Sequence, residues 1–298
     1  MKVQQLKINN KNLLREDGTI DWFDVYNVPI VSITNNNHTH DDRYYRISEV
    51  NSRISSATTA IEDLIEKVDL LNETTGISLN SNDASISIPA SNTSFSTAFT
   101  ISVGVITPEP ENASIIFNKE DSYELQISTS GYLSYAMHDD SSWAWIYTGI
   151  KISFNKRHII TFVYDGNNNK VLIYINGGLI YDSTINGSYL TNSPYDTPTS
   201  TVINIPSTLA INNNPLLFGL RSNNAEPLIN GKFDTILIYN KALSSSEVKT
   251  ILTVRENNIS NISNLIAYYN FEGTSPLTDK SGNNITASTT GSVSYVVL

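Results

Sequence analysis

Ile47, Val50, Ile54, Ala57, Ile61, Leu64, Val68 and Leu71 follow one another at steps that alternate three and four without a break. A straight α-helix turns every ~3.6 residues, so a strict 3.5-residue apolar stripe drifts around it and stays covered only if the helix supercoils with a partner. The stretch therefore predicts a coiled coil with a at Ile47, Ile54, Ile61 and Val68 and d at Val50, Ala57, Leu64 and Leu71. Ser48 can N-cap the helix, and Asn72 to Gly76 can end it, with Gly76 as the stop. The competing reading is an amphipathic helix on its own core, which usually shows a wider and less regular apolar face. Ile at a with Leu at d leans toward dimers, whereas Ile65 at e widens the seam toward a trimer.

Immediately before the seam stands His38-Thr39-His40. On an extended segment, residues two apart share a face. In a parallel trimer, two imidazoles from each chain supply the six ligands of an octahedral transition-metal site, and imidazole suits Fe, Ni, Zn and Cu. A solvated polar loop is the plain alternative for so short a motif.

The run HTHDDRYYRISEV, residues 38–50, resembles the His-x-His, Asp-Asp-Arg-Tyr-Tyr and Ser-Glu-Val sequence of tail fibres of tailed bacteriophages, with Arg46 where those fibres usually have Thr. The resemblance implies a homotrimeric fibre with a transition metal ion, iron foremost, held on the trimer axis by His38 and His40. It also implies a protein assembled in the host cytoplasm and carried on the virion tail, extracellular in the mature particle. Residues 1–37 would then be an attachment segment for a baseplate or other tail protein. They are too few to bury a core alone, and Trp22, Phe23 and Tyr26 are either anchors to a partner or local packing.

Composition narrows the rest. The chain of 298 residues has no Cys, so disulfides and thiolate metal sites are excluded. A net charge of −10 argues against nucleic acid as a partner. Residues 1–10 lack the apolar core of a signal peptide, and no run of eighteen apolar residues occurs. The expectation is a soluble product made in the cytosol, without membrane insertion.

From Ile77 the hydrophobic period becomes two. Strands are expected near 85–88, 99–105, 114–118, 123–128, 132–137, 143–147, 158–164, 171–176, 179–182, 216–220 and 233–239, with hairpin turns at Asp165-Gly166 and Asn176-Gly177. Ser244 to Glu247 reads as a capping box opening a short helix. Many short strands with such turns predict a β-sandwich or jelly roll. FSTAFTISVGV, RHIITFVYDGNNNKVLIYINGGLI and INGKFDTILIYNKALSSSEV, in that order, resemble the concanavalin A-like jelly rolls of the laminin G type, with Lys156 at a position where that family has Trp. The tail, 264–298, resembles the strands that open the domain in relatives, which implies a circularly permuted head. The chain thus reads as mainly β, with an attachment segment (1–37), a His-x-His motif and parallel trimeric coiled coil (38–75) and a lectin head (76–298).

Candidate chemistry is sparse. Glu120, Asp121 and Glu124 are three carboxylates, but glycoside hydrolysis needs two facing one bond. Glu120 and Asp121, being adjacent, would point to opposite faces of a strand, so a solvated turn is expected. His138 has no Ser or Cys nucleophile in an activating context, and His158, which begins a strand, is expected to pack or to lie at a sheet edge. Trp143, Trp145 and Tyr147 share a face and can stack on sugar rings if that face is exposed, with Asp139, Asp140 and Tyr135 as partners for hydroxyls; core packing is the alternative. Relatives of this jelly roll carry calcium, for which Asp234, Glu272, Asp279 and Asn283 offer oxygen ligands. The reading is a non-enzymatic receptor-binding protein whose trimeric heads recognise host cell-surface glycan with avidity. A fibre-borne polysaccharide depolymerase or esterase and a structural fibre spacer are the rivals.

Overall fold

The computed structural model of the chain describes residues 7–8, 11–12, 74–139, 143–191, 197–253 and 262–298. The chain divides into two units, 1–68 and 69–298. Of the first, the described part is a two-stranded antiparallel ladder, β1 (Lys7–Ile8) with β2 (Lys11–Asn12). The heptad seam, His38, His40, Trp22, Phe23 and Tyr26 lie outside the described residues.

The second unit is a sandwich of two antiparallel sheets. Its strands in chain order are β3 (Thr75–Leu79), β4 (Ser85–Ile88), β5 (Ala98–Ile106), β6 (Ser114–Lys119), β7 (Tyr123–Ile127), β8 (Tyr132–His138), β9 (Trp143–Lys151), β10 (Arg157–Asp165) and β11 (Lys170–Ile175). They continue with β12 (Gly178–Asp182), β13 (Tyr189–Thr191), β14 (Pro198–Val202), β15 (Leu216–Phe218), β16 (Lys232–Tyr239), β17 (Leu265–Tyr269), β18 (Ser288–Thr290) and β19 (Val293–Val297). Among the described residues one sheet has eight strands in the order β12-β11-β10-β5-β16-β3-β19, with β17 also on β16. The other has nine, β14-β13-β9-β8-β7-β6-β15-β4-β18.

Alternation along each strand decides what faces inward. Phe99 and Phe162 from the first sheet meet Phe117, Tyr123 and Tyr135 from the second in one aromatic core, with the Phe99 and Tyr123 rings stacked at 4.3 Å. The capping box forms as a reciprocal pair: Glu247 N donates to Ser244 Oγ at 3.3 Å, and Ser244 N donates to Glu247 Oε2 at 2.8 Å. The helix it opens (Ser245–Thr253) lays Val248 and Ile251, three apart, on Val163, Tyr174, Leu237 and Tyr268. It covers the outer side of the eight-stranded sheet, where burying each such side chain contributes about 1.5–3 kcal/mol.

Two turn expectations resolve differently. Asn176 and Gly177 both take positive φ, 49° and 79°, as a two-residue type I′ hairpin requires. After Asp165 the chain instead makes a single 3₁₀ turn, Gly166–Asn168, before Asn169 enters the left-handed region. Gly76 is not a helix stop; it lies inside β3, where a Cβ would meet Phe233 O at 2.7 Å. The tail completes both sheets. β17 pairs with β16, β18 with β4, and β19 with β3.

Candidate functional site

The solvent side of the nine-stranded sheet carries a polar row where a β-strand face would usually be mixed. Cross-strand register aligns Asn118, Glu124, Ala136 and Trp145 on β6, β7, β8 and β9, and Gln126, Ser134 and Tyr147 in the next row. Asn118 and Glu124 are nonetheless buried, because the segment after β15 folds back over them. Gly219, at φ 85°, turns that segment. Arg221 N bonds Ala225 O at 3.2 Å, and Glu226 O accepts from Ile115 N at 2.9 Å, which pins it to the sheet.

Arg221 is the centre of the site. Its Nε donates to Glu124 Oε2 at 2.9 Å and its Nη2 to Glu124 Oε1, a bidentate pair. Nη2 also lies 2.7 Å from Glu226 Oε2. Asn118 Nδ2 donates to Glu124 Oε2 at 2.6 Å, and Asn118 Oδ1 accepts from Ser222 N and Oγ. The guanidinium lies over the Trp145 ring at 5.6 Å. Burial pushes the Glu124 carboxyl up to about 7 against the pull of Arg221 and Asn118. Burial raises the Glu226 carboxyl as well. Burial also opposes the charge on Arg221, but the hydrogen bonds and charge of Glu124 outweigh it and raise the guanidinium.

Glu120, Glu124, Trp143, Trp145 and Arg221 line a cleft of about 190 Å³, below the ~300–1,000 Å³ of a pocket that engulfs a small molecule. Trp143 is 36% exposed at its mouth, packed on the His138 ring at 5.3 Å. Trp145 and Tyr147 are half-buried, Tyr147 tilted against Tyr132 at 5.7 Å. The aromatic stripe thus faces solvent rather than the core, because β9 turns Ile146, Thr148 and Ile150 inward instead. Asp139 is exposed at the end of β8, and Asp140 lies outside the described residues. Tyr135 requires correction as a partner for sugar hydroxyls. It is fully buried between the sheets, its hydroxyl 3.3 Å from that of Tyr181, since in β8 it is Ala136 and not Tyr135 that shares the face of Trp145.

Sequence reasoning missed Arg221 and Glu226 and undervalued Glu120 and Glu124. Asp121, at φ 56°, puts a left-handed turn between the two glutamates. Strand alternation therefore does not relate them, and both reach the cleft. The signal in the sequence was weak: an Arg in a polar loop a hundred residues away.

The proposed calcium ligands are engaged by the protein itself. Asp234 is buried in a bidentate pair with Arg157, whose Nη2 donates to Oδ1 at 3.0 Å. Asp279 Oδ1 accepts from Tyr268 N (3.0 Å) and Ser281 N (2.8 Å), and its Oδ2 from Ser281 Oγ (2.8 Å) and Ile285 N (3.1 Å). Asn283 Nδ2 donates to Leu265 O and Ile266 O, and Glu272 Oε2 accepts from Asn270. Asp279 and Asn283 thereby tie the Asp-x-Ser-Gly-Asn turn to β17, and Asp234 ties β16 to β10. Among the described residues no group of three or more His, Asp and Glu side chains is placed to hold a metal. No described helix is long and apolar enough to cross a membrane.

Comparison with solved structures gives the same architecture. A candidate carbohydrate-binding protein from Bacteroides ovatus aligns with 76% of this chain and 60% of its own length, at 18% identity and a TM-score of 0.54. The chain thus spans about 60% of that relative. A heptameric SAP-like pentraxin from Limulus polyphemus covers 76% of this chain and 95% of its own, at 15% identity and a TM-score of 0.45. Domain 4 of an extracellular arabinanase from Geobacillus stearothermophilus, solved with arabinotriose, covers 59% and 76%, at 20% identity and a TM-score of 0.41. A search of curated proteins found no match. Residues 80–249 match the laminin G family described as the concanavalin A-like lectin/glucanases superfamily. That match takes in more than half of the sequence, from β4 through the capping-box helix, and the chain belongs to this superfamily.

Proposed function

We propose that the chain is the receptor-binding fibre of a tailed phage or phage-tail-like particle, and that its head holds host cell-surface glycan in the cleft beside Trp143 and Trp145. The observation that carries the glycan reading is an exposed indole and a half-buried one on the solvent side of the sheet, beside buried Asn118 and Glu124 hydrogen-bonded to each other and to half-buried Arg221. Aromatic faces with a rigid polar flank are what a sugar ring needs. The Bacteroides ovatus protein that shares the fold is itself a candidate carbohydrate binder. The fibre and the trimer rest on the 38–50 sequence and the heptads that follow it, with His38 and His40 of three chains holding the axial transition metal. The attachment segment would join a baseplate or other tail protein.

The site binds without cutting. Both Glu124 oxygens are held by Arg221 and Asn118, so the carboxyl is turned to them rather than toward a bond lying against Glu120. Labelled full-length protein should coat host cells, and Trp143→Ala should lose that binding while the head still melts cooperatively. Undiminished binding by the variant would refute the site. Release of sugar fragments from host polysaccharide would favour a depolymerase, and failure of the native protein to bind cells would favour a structural spacer.

A further inference from the structure

The cleft's charges do not balance. Glu120 and Glu124 line the cleft with Arg221, and Glu226 pairs with that guanidinium from outside the lining; where Glu124 is protonated, Glu226 still offsets Arg221 and Glu120 is left over. Arg221 turns Nε and Nη2 to Glu124 and Nη2 also to Glu226, so its charge is directed inward. Glu120 is the cleft carboxylate that Arg221 does not hydrogen-bond; its Oε2 has Ser222 Oγ at 3.3 Å. Two indoles form the rest of the wall: Trp145, with the Arg221 guanidinium over its ring, and the more exposed Trp143, whose ring can take a further cation. An anionic sugar would face Glu120, which Arg221 does not hydrogen-bond. A neutral hydroxyl would gain the ring contact but leave the surplus charge unanswered. The cleft is also small, about 190 Å³, the scale of a sugar substituent.

We infer that the cleft selects a glycan bearing a free, protonated amino group, with the ammonium between Glu120 and the indoles of Trp143 and Trp145. This rests on the reading that the cleft is the glycan site. An ammonium donates charge-assisted hydrogen bonds to Glu120 and sits over an aromatic face, two interactions that an acetamide in the same place loses.

The test is titration calorimetry on the full-length protein with β-linked glucosamine oligosaccharides and their N-acetylated counterparts, at mildly acidic pH where the sugar amine is charged. The free-amine oligomer should bind about ten-fold more tightly than the acetylated one, the value of one charge-assisted contact, and its affinity should fall with added salt. Glu120→Gln should erase most of that difference. Equal or tighter binding of the acetylated oligomer, no binding of either, or no effect of Glu120→Gln overturns the amine inference. Loss of host-cell binding in Trp143→Ala alongside any of those results leaves the glycan-binding reading standing. Full host-cell binding by Trp143→Ala removes both.

Discussion

Replacing Arg221 with Met keeps an aliphatic stem on Trp145 and removes the charge. Glu124, 2% exposed, is then left with Asn118 as its hydrogen-bond donor. Breaking a buried pair from one side typically costs about 3–5 kcal/mol, because the remaining charge is uncompensated. The cost must depend on pH. In the native head the Glu124 carboxyl lies at about 7, above its ordinary 4.5, because burial disfavours its charge. The folded state therefore holds this proton more tightly than the unfolded chain does. The resulting stabilisation is complete below about pH 4.5 and is lost as pH rises through about 7, at about 1.4 kcal/mol per pH unit or roughly 3 kcal/mol in all. At about pH 8 the native pair is ionised and Arg221→Met should lose the full 3–5 kcal/mol. At about pH 5 Glu124 is already protonated, so the variant loses only hydrogen bonds, about 1–2 kcal/mol. Urea unfolding of both proteins at the two pH values measures the difference, and adding Glu124→Gln to the variant should recover most of the loss at the higher pH. A penalty that is equal at both pH values, or larger at the lower one, would refute the reasoning.

Three further outcomes can be tested, two from the packing of the head and one from the sequence before it. Gly104→Ala would place a Cβ 1.9 Å from Asp234 Oδ1; it should displace the carboxylate from Arg157 and destabilise the head by about 2–4 kcal/mol in the same unfolding assay. Deleting residues 260–298 should strip β17, β18 and β19 from both sheets and make the head aggregate, as light scattering would show; a soluble, cooperatively melting deletion contradicts an integral tail. Under the proposed axial site, replacing His38 and His40 together with Ala should remove a transition metal from the purified protein, by elemental analysis, without altering glycan binding; native protein that carries no such metal would contradict the site.

What the sequence disclosed and what it hid divide along sequence distance. β4 was legible at both ends because its period-two pattern is local, and so was the capping box, whose donors and acceptors lie three residues apart. β13 and β14 were not: Tyr189, Val202 and their neighbours are largely exposed, so no buried face printed a pattern. Placing the Trp143–Tyr147 stripe required knowing which face of β9 looks inward, and that is set by its pairing with β8 and β13. Tyr135 was misjudged for the same reason. Arg221 could not be found by spacing at all, since its partner Glu124 comes from another strand and only the returned segment brings them together.

The pairing of β3 has a consequence for how the protein is made. One side of β16 is shared: β3 pairs at Lys232 and Phe233, and β17 at Ile236 to Tyr239. β3 is flanked on its other side by β19, and Leu298 N closes the ladder on Thr74 O at 2.9 Å. The strands that leave the ribosome first in this unit therefore wait, unpaired, for the last ones to be synthesised. Contacts of such long sequence separation fold slowly, and at about 5–20 residues per second translation leaves the early strands exposed for many seconds.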